Sequence, residues 1–169
     1  MRGFRLAAAV AVAAALAAGV SQAGSMQQQF AALRGGAAAR GAPAAGLGEI
    51  MSLQQMRHSK LWFAGTAGNW PLADYELDEL KEGFDDVHRL FPTHEGVRLA
   101  PLLAVIEKTA IPDLAKTISA RDAAKFADAF DALTAACNGC HQSAKHGFIV
   151  IQRPASLPYT NQNFAPGPR

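Results

Sequence analysis

Apolar residues recur along the chain with the period of packed helices. In the clearest case Ala73, Leu77, Leu80, Phe84, Val87 and Phe91 follow one another at alternating steps of four and three. That spacing keeps one face of a helix turned to a core and predicts a helix from about Pro71 to Phe91. Asn69 is placed to cap its start, Pro71 fits the first turn, and Pro92 ends it. Phe126, Phe130, Leu133, Cys137 and Cys140 repeat the pattern and predict a last helix from about Arg121 to Lys145. Ser119 and Asp122 resemble a capping box at its start, and Gly147 is a natural stop. A first helix is predicted from Leu47 to Gly65, with Leu47, Ile50, Met51, Leu61, Trp62 and Ala64 on one broad face. The third segment, Val97 to Ser119, contains Pro112, which lacks an amide hydrogen and clashes with the preceding turn. It is predicted to break into helices from about Leu99 to Thr109 and Asp113 to Ala120.

The flanks follow other rules. Residues 1–23 carry Arg2 and Arg5, an unbroken Ala/Val/Leu/Gly run from Leu6 to Val20, and Ser21-Gln22-Ala23. This is the pattern of a secretory signal peptide cleaved after Ala23, and the run is shorter than the ~20 residues of a spanning helix. Residues 24–46 are rich in Ala, Gly and Gln and read as a disordered linker. Residues 47–147 form the expected helical domain, and 148–169 read as an extended, Pro-rich C-terminal arm. The fold class is therefore all-α. Removing Arg2 and Arg5 with the leader leaves 14 basic residues against 14 acidic ones, so nothing favours nucleic acid or an anionic membrane as partner. Seven acids and one base lie between Asp74 and Asp86, most simply a solvated helix face and otherwise a docking patch for a basic partner.

The candidate chemistry sits in Cys137-Asn138-Gly139-Cys140-His141, which holds both cysteines of the chain. A redox dithiol normally stands at a helix N-terminus after a strand, and no strand precedes this pair. Zinc would need a fourth ligand from His58, His88, His94 or His146, without the paired knuckles usual for that metal. Covalent haem needs two thiols spaced for its two vinyl groups and an adjacent histidine for the iron, and Cys-x-x-Cys-His supplies all three. Haem attachment takes place outside the cytoplasm, in keeping with the leader, and haem c is the expected cofactor. His141 is then the proximal iron ligand.

On this motif, at the end of a helical, exported chain, the protein resembles the class II c-type cytochromes, which include cytochrome c′ and its Met-ligated relatives. The likeness covers roughly Leu47 to Lys145. It implies a four-helix bundle with covalent haem on the last helix and the distal side reached from the first. Two features depart from the pattern: the break at Pro112 and the long segment after His141.

On the first helix His58 is the leading distal ligand and Met51 the alternative, two turns away; Met56 falls on the other side. Arg57 lies in the same arc, where a haem propionate is one candidate for the anion it needs. His146, five residues past His141, cannot reach across a haem plane. Trp62 and Trp70 read as core or cap residues, and Tyr159 and Phe164 as possible covers for a haem edge. The expected function is periplasmic electron transfer by Fe(III)/Fe(II) cycling with a redox partner protein. The alternative is a haem module that binds a diatomic gas. No catalytic constellation is present, and a homodimer through the first two helices is conceivable.

Overall fold

The computed structural model describes residues 46–157 and 159–167. The expected leader and all but the last residue of the expected linker lie outside the described residues. The described chain is all-α, with a single two-residue hairpin among its described elements. Helix α1 spans Leu47–Thr66 and α2 Trp70–Leu90. The hairpin pairs β1 (Thr93–His94) with β2 (Val97–Arg98). Then come α3 (Ala100–Val105), a π-helical turn (Ile106–Ala110), α4 (Ile111–Ala120) and α5 (Ala123–Ser143). No described helix is long and apolar enough to cross a membrane.

The α2 seam is buried as its spacing predicts: Ala73, Leu77, Leu80, Phe84 and Val87 all lie in the core. The Asn69 side chain caps α2 by accepting from the Leu72 amide at 3.4 Å. The predicted cap of α5 is corrected. Asp122 itself is the N-cap, accepting from the Lys125 amide at 3.0 Å, while Ser119 lies inside α4. Arg121 turns the chain between them with φ of 53°.

The predicted break at Pro112 is corrected as well. The rod runs on because the turn before it widens. The Ile111 amide reaches back to the Ile106 carbonyl, five residues earlier, and Pro112 then falls in the first turn of α4. There a missing amide hydrogen costs nothing. The wide turn also keeps Ile106, Ala110 and Ile111 facing the core.

Helix α1 packs along α2 and, less extensively, along α5. Two glycines set these approaches. A Cβ on Gly65 would stand 2.1 Å from the Phe126 ring, and one on Gly83 2.5 Å from Gln54 Oε1. Gly65 therefore serves a helix crossing inside α1 rather than its end. The α1–α5 register is antiparallel and fixed by three contacts. His58 meets Thr134 and Phe130, Trp62 meets Phe130 and Phe126, and Gly65 meets Phe126.

Candidate functional site

Where α1 and α5 continue past His58 and Thr134, they border a cavity of about 340 Å³ that opens to solvent. Its volume falls within the ~300–1,000 Å³ usual for cofactor and small-ligand sites. Helix α5 contributes Cys137, Cys140 and His141; α1 contributes Met51, Gln54 and His58. Leu80 and Phe84 of α2, and Leu103 and Ile106 beyond the hairpin, make the apolar wall. His94 and His146 stand at the same cavity, together with Ile149 and Ile151 of the C-terminal segment.

Both cysteines are free and half-buried. Burial pushes the Cys137 thiol up to about 12, with Cys140 beside it adding to the effect. Burial also raises the Cys140 thiol. A dithiol oxidoreductase needs the opposite, a thiol held low enough to ionise. Zinc through the cysteines fares no better. Among the described residues the group whose donor atoms converge within 4.8 Å is His94, Glu95 and His146, without a cysteine.

His141 Nδ1 donates to the Ile149 carbonyl at 3.0 Å, which leaves the lone pair on Nε2. Ile149 stays in reach because Asn138 clamps the chain two residues on. Its Nδ2 donates to the Ile151 carbonyl at 2.9 Å and its Oδ1 accepts from the Ile151 amide at 2.8 Å. Arg153 then forks onto Asp131, both contacts 2.6 Å, and lies over the Trp62 ring.

His58 is buried, and burial lowers its pKa from 6.5 to about 4. The Thr134 hydroxyl donates to the Phe130 carbonyl at 2.9 Å, so it accepts at 2.8 Å from His58 Nε2. The nitrogen that most often binds metals is thereby occupied. The α1–α5 register sharpens the comparison with Met51. Seven residues on from Thr134 is His141; seven residues back from His58 is Met51. The same two helical turns, about 10 Å, separate each pair. Met51, not His58, is level with His141.

Arg57 is corrected: its anion comes from within the chain. Its guanidinium meets Glu79 Oε2 at 2.7 Å and the Glu79 carbonyl at 2.6 Å, and it does not line the cavity. Glu76, also expected on a solvated face, is buried with Lys60 3.8 Å away. Tyr159 and Phe164 lie elsewhere, Tyr159 under Lys60 and Phe164 against Phe63. His146 is not on α5 but two residues past its C-cap. Lys145 takes the left-handed conformation with φ of 65°, and the His146 amide closes onto the His141 carbonyl at 2.7 Å. That is a Schellman ending two residues earlier than Gly147 would give. The carbonyl of Ile149 and the clamp of Asn138 carried no signal in the sequence, since both depend on a chain reversal without a motif.

No protein family matches the chain, and no curated protein and no solved structure matches it either.

Proposed function

We propose that the protein is an exported monohaem c-type cytochrome that carries electrons, with its helices arranged as a four-helix bundle and the cofactor on α5. One observation carries the reading. Two free thiols and a histidine whose Nδ1 is already engaged line the same apolar cavity. The donor set fits covalent haem. Cys137 and Cys140 offer the sulfurs, His141 Nε2 offers the iron ligand, and the Ile149 carbonyl holds the imidazole in that tautomer. Covalent haem supplies a one-electron Fe(III)/Fe(II) couple.

The chain's own residues do the rest. Leu80, Phe84, Leu103 and Ile106 make the inner wall of the cavity apolar. The register supports Met51 as the sixth ligand in place of His58, whose Nε2 is spent on Thr134. A thioether there favours the reduced iron and a higher potential than two imidazoles would. Asp74, Asp78, Glu82 and Asp85 remain exposed on α2 and suit a basic redox partner. We assign no catalytic residue.

Spectra of protein secreted by a host competent in haem attachment test this. A pyridine haemochrome of the thioether-linked type is expected, with a ferrous low-spin spectrum that carbon monoxide leaves unchanged. Met51→Ala is expected to open the iron to carbon monoxide, and His58→Leu to leave coordination as it was. Colourless protein of bare polypeptide mass overturns the assignment. Immediate carbon monoxide binding by the parent replaces electron transfer with gas binding.

A further inference from the structure

His94 and His146 line the same cavity as the cysteines, but the function proposed above gives no role to them or to Glu95. Each offers one donor atom, and the three donors lie within 4.8 Å of one another. We propose that the three form a second metal site, built without the cysteines or His141, for a divalent ion of the zinc, copper or nickel type. Two imidazoles and one carboxylate are a donor set those ions accept, with the remaining positions left to water.

The surroundings favour an ion. His146 Nδ1 donates to the Ala144 carbonyl at 2.8 Å, so its lone pair is on Nε2. A backbone carbonyl on the far ring nitrogen is the usual support of a metal-bound imidazole. The Schellman ending of α5 fixes where His146 stands, and its ring lies 5.7 Å from that of His94. His94 is held by pairing with Val97 across the hairpin. Glu95 and Gly96 make the tight turn, with φ of 47° and 79°. Glycine suits such a turn; glutamate adopts it at a cost of about 1 kcal/mol. What the turn achieves is to set a carboxylate beside two imidazoles. Glu95 is exposed and has no Lys, Arg or His salt-bridge partner among the described residues. Ligands ~2.1 Å from one ion lie ~3.4 Å apart at a tetrahedral angle, so closure of at most ~1.4 Å would complete the site. Bound there, the ion ties the hairpin to the chain that leaves α5.

The test is calorimetric titration of Zn²⁺ into the full secreted chain, carried without a histidine tag. One ion per chain is expected, with binding weakened at least tenfold in His94→Ala, in His146→Ala and in Glu95→Gln. The glutamine variant keeps the turn and the shape of the side chain, and circular dichroism checks that each variant is folded. His88→Ala, outside the cluster and paired with Glu107, is expected to bind as the parent does. The double variant Cys137→Ser/Cys140→Ser is expected to keep the site, which separates this inference from the haem assignment. No binding by the parent overturns the proposal. So does binding that survives loss of His94 and His146, or that disappears with the cysteines.

Discussion

Acid should weaken this fold through one side chain. His58 is 5% exposed, and burial lowers its pKa from 6.5 to about 4. Between those values the unfolded chain binds a proton at this position that the folded chain does not, so stability rises with pH across that window. The contribution is complete above 6.5 and is lost as the pH falls through about 4. Each tenfold change in proton affinity is worth ~1.4 kcal/mol, so the full loss is about 3 kcal/mol. Glu76 works in the opposite sense. Burial raises its pKa above 4.5, an effect that Lys60 only partly offsets, so the folded state holds that proton more readily. Its share of stability is fully present below 4.5 and is lost as the pH rises through its folded pKa. The two windows overlap, and the parent curve alone cannot divide them. Urea denaturation followed by circular dichroism at pH 4 to 7.5 should be run on the parent, His58→Leu and Glu76→Gln. The stability difference between the parent and His58→Leu is expected to move by about 3 kcal/mol against the parent as pH falls from 7 to 4. Glu76→Gln is expected to remove the opposing drift and steepen the acid loss. A His58→Leu curve parallel to that of the parent refutes the argument, since another group would then own the transition.

Two further outcomes follow from packing. Gly65→Ala puts a methyl 2.1 Å from the buried Phe126 ring. Overpacking of ~1–3 kcal/mol outweighs the ~1 kcal/mol gained in helix propensity, so the melting temperature should fall; an unchanged or higher value refutes the crossing. Asn138→Ala removes both hydrogen bonds to Ile151. The Ile151 amide should then exchange with solvent at least tenfold faster, for a global loss of about 1–2 kcal/mol, and unchanged protection would show that the clamp does not hold the segment.

Helices with a strict four-three seam were legible in the sequence: α2 buries its seam from Ala73 to Val87 and α5 from Phe126 to Leu133, while Phe91, Cys137 and Cys140 are half-buried at the ends. The break at Pro112 was not, because a proline penalty that holds inside an α-helix does not apply where a wider turn precedes it. The site residues divide along the same line. Cys137, Cys140 and His141 are neighbours, so their spacing places them on one face of one helix. The distal ligand proposed above lies on a second helix. Periodicity puts Met51 and His58 on the same arc of α1 without saying which of them is level with His141. That needs the contacts of His58, Trp62 and Gly65 with α5, which are long-range. The readings of Arg57 and of Glu76 failed for a related reason. Sequence shows charge along one helix, while the pairing of Arg57 with Glu79 and the burial of Glu76 arise only between two.

The chain after α5 shows how a segment without regular structure can govern the site. Its described residues form neither helix nor strand, so its backbone carbonyls are not committed to a ladder. One of them, on Ile149, is therefore available to accept from His141 Nδ1. A carbonyl spent in a strand or helix could not do this as freely. The cost is that the segment must be held by side chains, and it is, at successive points. Asn138 grips Ile151, Arg153 forks onto Asp131, Asn69 donates to the Ala165 carbonyl, and Phe164 is buried against Phe63. Asn69 and Phe63 do not line the cavity, so loss of their contacts should loosen the arm before it reaches the cavity. The orientation of the His141 ring thus depends on side chains of α1, α5 and the α1–α2 turn, acting through a stretch of backbone that packs against them.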